Sequence, residues 1–185
     1  MSNEAAATAA TVTVWEIDPA HAHAQFKVRH MMIANVKGEF TRITGTITWD
    51  KSDLAKSSVT NSIDVASIST REPQRDAHLK SADFFDVEHF PTITFESTKI
   101  AQGEDGLEVT GNLTIRGVTK PVTLHVDGPT PETKDPWGNT RVGVEATATI
   151  DRRDFGLTWN TALETGGVLV GDKVAITIDA ELVKK

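Results

Sequence analysis

"KVAITIDAEL" (Lys173–Leu182) alternates without a break. Val174, Ile176, Ile178, Ala180 and Leu182 fall on one side, and Lys173, Thr177, Asp179 and Glu181 on the other. A period of two sustained over such a run specifies a strand with one face in an apolar core and the other in water. The pattern recurs outward from there. In "GLEVTGNLTI" (Gly106–Ile115), Leu107, Val109, Leu113 and Ile115 share a face opposite Glu108, Thr110 and Thr114. Comparable stretches lie near Thr13–Ile17, Ala22–Met31, Gly38–Asp50, Ser57–Ile68, Thr92–Ala101, Gly106–Arg116, Lys120–Pro129 and Arg141–Asp151. Turn signals separate them: "EDG" at 104–106, "RGVTKP" at 116–121 and "DPWGN" at 135–139. Eight or more strands with Thr-, Lys- and Glu-rich outer faces predict an all-β antiparallel barrel or sandwich, since a parallel sheet covered on both faces would be more uniformly apolar.

The length of 185 residues suits one domain, expected over 13–185, with residues 1–12 ("MSNEAAATAATV") read as a flexible tail. A formal net charge of −7 disfavours a nucleic-acid groove or an anionic-membrane patch. No cysteine is present, which removes disulfides, thiolate nucleophiles and Cys-based metal sites. The N-terminus has neither the basic start nor the apolar middle of a secretory signal, so a cytoplasmic location is expected. No window approaches the ~20 apolar residues of a membrane-spanning helix, and no stable membrane insertion is expected.

An eight-stranded barrel is about wide enough to fill itself with side chains or to hold one small ligand. The strands mix bulky residues with small ones, Gly111 between Val109 and Leu113, and Gly143, Ala146 and Ala148 beside Val142, Val144 and Ile150. Small inward residues leave room for a ligand, or they face bulky partners across a filled core.

Two places interrupt the strand pattern. "WNTALETGGVLVGD" (159–172) is a Gly-rich connection with space for a helical turn. "QRDAHLKSADFF" (Gln74–Phe85) follows Pro73 at a helix start, with good helix formers after it. On a helix, Arg75, His78 and Leu79 share one side and Asp76 and Lys80 the next. One reading is a solvated helix docked through Phe84 and Phe85. The sharper one is a lid whose aromatic pair enters a cavity mouth while Arg75, Asp76 or His78 meets a ligand's polar head.

In "HAHAQFKVRH" (His21–His30), His21 and His23 share a strand face, yet a zinc site needs three or four ligands and no supporting motif follows. No metal or cofactor is therefore assigned. His30 shares its face with Phe26 and Val28 and is expected inward. "TGGVLVGD" lacks the lysine and spacing of a phosphate loop, and no G-x-S-x-G is present.

Several ordered segments resemble one known family: "DPAHAHAQFKVRHMM", "VKGEF", "QRDAHLKSADFFDVEHFPTITFES", "VTGNLTIRGVTKPVTL" and "DRRDFGL". Together, from about Trp15 to Leu182, they are similar to the YceI-like, or polyisoprenoid-binding, proteins. That resemblance implies an extended, eight-stranded, lipocalin-like barrel with a short helix beside its mouth, often dimeric. It also implies a long apolar ligand in the lumen, such as a polyprenyl chain, a quinone tail or a fatty-acyl derivative. Members commonly carry Ser after the first histidine, where this chain has Ala22, so one hydroxyl contact is absent.

The expected function is binding, sequestration or transport of such a ligand without chemistry. Apolar lumen candidates are Phe26, Val28, Phe40, Phe84, Phe85, Phe95, Leu113, Ile115, Val144 and Ile176. By resemblance, His30, Arg75, Asp76 and His78 are the head-group candidates. The rival expectation is a hydrolase or isomerase acting on a prenyl or acyl substrate, with His78 and Asp76 as acid and base. A third is a filled core with an interaction role.

Overall fold

The computed structural model describes residues 11–185. The strands in chain order are β1 (Val12–His30), β2 (Ala34–Phe40), β3 (Ile43–Asp50), β4 (Ser58–Asp64), β5 (Ile68–Ser69), β6 (Thr92–Gln102), β7 (Leu107–Ile115), β8 (Val118–Asp127), β9 (Thr133–Lys134), β10 (Thr140–Asp151) and β11 (Val170–Lys184). One helix, α1 (Pro73–Lys80), lies between β5 and β6. Pairing runs β1-β3-β4-β6-β7-β8-β10-β11 and returns from β11 to β1, a closed ring of eight antiparallel strands. Closure removes the open edges that would otherwise invite pairing with other chains.

β1 is the longest strand and has three neighbours. Its first residues pair with β3 (Val12↔Asp50 to Glu16↔Thr46), its last with β2 (Ala24↔Phe40 to His30↔Ala34). Its other edge follows β11 from Trp15↔Lys184 to His30↔Val170. The expected strands Thr13–Ile17 and Ala22–Met31 are thus one. Between them the β1–β11 ladder slips, with Ile17 opposite Leu182 but Ala22 opposite Ala180. Pro19, which has no N–H to give a ladder, sits in that slip.

Other boundaries moved in the opposite sense. Gly38–Asp50 divides at Thr41–Arg42 into β2 and β3, and Ser57–Ile68 is interrupted by a 3-10 turn at Val65–Ser67. The connection at 159–172 holds no helical turn; a single bridge, Ala162 to Val168, folds it back on itself. Of the tail expected over 1–12, residues 1–10 lie outside the described residues, whereas the Thr11 carbonyl accepts from the Lys51 N–H at 2.9 Å and Val12 already pairs in β1.

Alternation decides what is inside. Trp15, Ile17, Ile63, Ile93, Phe95, Val109, Leu113, Ile150 and Leu182 are buried, while intervening Thr, Glu and Lys face out. Gly143 is a correction: it has the parity opposite to Val142 and Val144, which line the second chamber, and a side chain there would meet Thr130. Gly111 does face inward, but it leaves no void. A Cβ added to it would stand 2.5 Å from the tip of Phe95. Gly38 is filled in the same way by Phe26, its cross-strand partner.

Helix α1 begins where proline and capping place it. Pro73 stands in the first turn, where its missing N–H costs nothing. The Glu72 carboxylate accepts from the N–H groups of Gln74 and Arg75. Among the described residues no helix is long and apolar enough to cross a membrane.

Candidate ligand-binding lumen

The barrel encloses two apolar chambers stacked end to end. The first, of about 260 Å³, lies towards the end that carries α1, His30 and the 157–170 loop. The second, of about 330 Å³, reaches the opposite end at Lys51, Pro131 and Glu132. Asn61, Leu124 and Ile178 line both, so they form the waist between them. Together the chambers hold roughly 600 Å³, well within the ~300–1,000 Å³ of ordinary small-molecule sites.

The first chamber collects most of the residues expected in the lumen. Phe26, Val28, Phe40, Phe95, Leu113, Ile115 and Ile176 come from the strands, Phe84 and Phe85 from the turn after α1. Val144 lines the second chamber instead. Phe26, Phe40 and Phe85 form a chain of rings, each centroid 5.7 Å from the next, the last pair edge to face. Phe84 stands 5.3 Å from Trp159, and the His78 ring packs against both, at 5.1 and 4.7 Å. Edge-to-face packing of this kind fixes ring orientation as well as burying area.

Of the polar candidates, His30, Arg75 and His78 line the first chamber; Asp76 lines neither. Asp76 Oδ1 accepts from Thr70 N (2.8 Å) and Thr70 Oγ1 (2.6 Å). Arg75 donates to the same threonine, through Nε to Oγ1 (2.7 Å) and Nη2 to the carbonyl (2.9 Å). Thr70 is buried, so this threonine is the peg that fastens α1 to the barrel. His78 Nε2 is 2.8 Å from Asp83. Asp76 and His78, expected to work as an acid–base pair in the enzyme reading, therefore have separate partners.

One family description spans this architecture: the YceI-like domain matches residues 15–182. The chain belongs to the YceI-like family. A relative in Staphylococcus aureus (strain N315), UPF0312 protein SA2479, is 37% identical over 171 residues, covering 92% of this chain and 97% of that protein. The YCEI protein of Campylobacter jejuni, of solved structure, is 29% identical with a TM-score of 0.67, over 86% of this chain and 91% of that one. Two further structures share the fold at lower identity. Burkholderia cenocepacia BcnA has a TM-score of 0.73 at 24% identity, over 89% and 98% of the two chains. A polyisoprenoid binding domain from Saccharophagus degradans, implicated in plant cell wall breakdown, has a TM-score of 0.67 at 16% identity, over 92% and 98%.

Within this YceI-like barrel, Arg152 went unnoticed in the sequence. It is 5% exposed and lines the first chamber. Its guanidinium donates to four carbonyls: Nε to Gly171 (2.8 Å), Nη1 to Leu157 (2.6 Å) and Trp159 (2.9 Å), and Nη2 to Val170 (3.3 Å). Burial holds its pKa below the usual arginine value, although a guanidinium so placed keeps its charge. The signal was available: Arg152 shares the parity of Val142, Ala146 and Ile150, and so points inward. Trp159 and the second chamber's Trp15, Ile17, Ile47, Trp49 and Val59 were also missed as lining residues.

The outer histidines have other partners. His21 Nδ1 is 2.9 Å from Asp18, and His23 Nδ1 is 3.6 Å from Glu39. Asp18, His21 and Glu181 cluster as cation ligands would, but Arg141 Nη1 already stands between the two carboxylates, at 2.6 and 3.0 Å.

Proposed function

We propose that this YceI-like protein binds a long, apolar, isoprenoid-type or other lipid molecule in its lumen, and sequesters or carries it unchanged. The observation that supports this best is the pair of stacked apolar chambers, with titratable lining groups confined to their two ends. Along β11 the lining runs from Val174 to Leu182, eight steps of about 3.3 Å, or roughly 26 Å of wall. An extended hydrocarbon tail matches that shape. Burying each methylene contributes roughly 0.8 kcal/mol, so a long tail outweighs the cost of ordering it. A head-group hydrogen bond adds about 1–3 kcal/mol, which makes His30, Arg75 and His78 orienting groups rather than the source of affinity. Asp76 contributes by holding α1 in place. The S. degradans neighbour, a polyisoprenoid binding domain, shares the barrel, and an isoprenoid tail heads the candidates for that reason.

The test is direct. Organic extracts of purified protein are analysed by mass spectrometry, and the stripped protein is offered a fluorescent prenyl or acyl probe. A stoichiometric apolar molecule, or saturable uptake at one site, is expected. Recovery of no such molecule together with no probe uptake would sink the proposal. Turnover of a prenyl or acyl ester abolished by His78→Ala would replace it with the enzyme reading.

A further inference from the structure

The hairpin joining β1 to β2 ends in Met31, Met32 and Ile33, which are 43%, 56% and 75% exposed. Both methionines adopt positive φ, 50° and 61°, and the Ile33 N–H closes the turn onto the His30 carbonyl at 3.2 Å. Turns with two left-handed central residues normally use Asn-Gly, because any larger side chain is strained there. Here the strained positions carry two long apolar side chains held out in water. The tip is not isolated. Met31 N donates to the Leu169 carbonyl at 2.8 Å, Met32 lies against Gly167, and the exposed Val168 adjoins them.

Charge follows the same surface. Within a chain of net charge −7, the hairpin from Gln25 to Gly38 carries Lys27, Arg29 and Lys37 and no acidic residue. All three are exposed, and Lys27 and Lys37 face each other across the β1–β2 pair. The nearest acids in sequence to this surface are Glu39 just below the arm and Glu164 and Asp172 on either side of Val168, the last already paired with Arg152 and Arg153. His30, Leu169 and Val170, which adjoin the tip, line the first chamber, so the apolar tip is continuous with the lumen's mouth.

From these features we infer that the Met31–Ile33 tip and Val168 dock the barrel mouth onto an anionic lipid bilayer. Methionine, isoleucine and valine enter the headgroup–acyl boundary while Lys27, Arg29 and Lys37 meet lipid phosphates. Apolar anchors ringed by cations are the chemistry of reversible interfacial binding. The purpose of that docking, passing cargo between bilayer and lumen, rests on the binding function proposed above.

Co-sedimentation with vesicles tests the docking, using phosphatidylcholine with phosphatidylserine against phosphatidylcholine alone. The wild type is expected to pellet with the anionic vesicles, less so at high salt. Met32→Glu with Ile33→Glu should weaken partitioning at least about tenfold, and Lys27→Gln with Lys37→Gln should abolish the preference for anionic lipid. Neither pair lines a chamber, so both variants should take up an acyl probe from solution as the wild type does. Wild type that takes up probe but never pellets overturns the docking alone, as does tip-independent pelleting. Pelleting without any probe uptake supports docking while removing the lumen function. A wild-type dimer that the tip variant splits, with no pelleting, would assign the surface to a second copy and overturn the inference.

Discussion

At the level of single residues, Gly111 shows how space inside the wall is allocated. The sequence left open whether the space beside it was vacant or filled by a bulky partner, and the Phe95 ring occupies it. Gly111→Ala therefore drives a Cβ against that ring and against the Glu96 carbonyl, each 2.5 Å away, so the β6 and β7 backbones must part while Phe95 swings into the first chamber. The expected result is a stability loss of about 1–3 kcal/mol, read from urea midpoints, and reduced uptake of an acyl probe. Unchanged uptake would show that Phe95 moves elsewhere. The pairing of glycine with a bulky neighbour could not be read from one strand, because it depends on a diagonal contact between β6 and β7. Arg152 is the contrary case. Its inward direction follows from simple alternation, but the eye attributes a buried position to the apolar residues and passes over the cation. What made its burial tolerable, two backbone carbonyls from the irregular stretch after β10 and two from the start of β11, was not legible in the sequence.

At the level of elements, α1 is held by hydrogen bonds more than by packing, since none of its residues is fully buried. Thr70 receives Arg75 and serves Asp76. Thr70→Val keeps the shape and removes the hydroxyl, so Asp76 Oδ1 and Arg75 Nε each lose one partner while their residues' bonds to the Thr70 backbone remain. The expected cost is about 1–3 kcal/mol, with faster protease cleavage between Glu72 and Phe90 while the strands stay resistant. A second stitch lies at the β1–β11 slip. Arg141 of β10 reaches Asp18, Asp135 and Glu181, and its hydrogen bonds hold the carboxyls of Asp18 and Asp135 well below their ordinary 3.8. Because these pKa values are depressed in the folded state, the unfolded chain binds more protons as pH falls below about 4. The stabilisation is complete above that pH and is lost on acidification. Arg141→Gln should flatten this acid limb in urea midpoints collected as a function of pH; an unaltered slope would exclude the stitch. The helix start and the side shared by Arg75, His78 and Leu79 were readable from "PQRDAHL", since they follow from proline and spacing, while the Glu72 cap just before it went unread. The peg was not, because Thr70 lies before the helix and its role appears only once β5 brings it alongside.

At the level of the whole molecule, an antiparallel all-β architecture of eight or more strands followed from alternation and turn residues, the closed eight-stranded ring came with the family resemblance, and the division of the lumen came from neither. A waist needs several strands in register, and Asn61, Leu124 and Ile178 come from three of them. The two chambers contain different tryptophans, Trp159 in the first and Trp15 and Trp49 in the second. In single-tryptophan variants, acyl chains carrying a terminal bromine should quench Trp159 when short, and Trp15 or Trp49 only when long enough to pass the waist. Quenching of all three by every length would mean that the chambers fill independently. A further consequence follows from where the fastenings lie. The pegged helix, the arginine-clamped loop and the methionine hairpin all sit at one rim, while the eight-strand ladder closes without them. The molecule should keep two clocks: amide protons of the rim would exchange with solvent quickly, those of the ring only on global unfolding. Cargo residence would then be set by the faster clock, and a lodger could leave a wall that never opens.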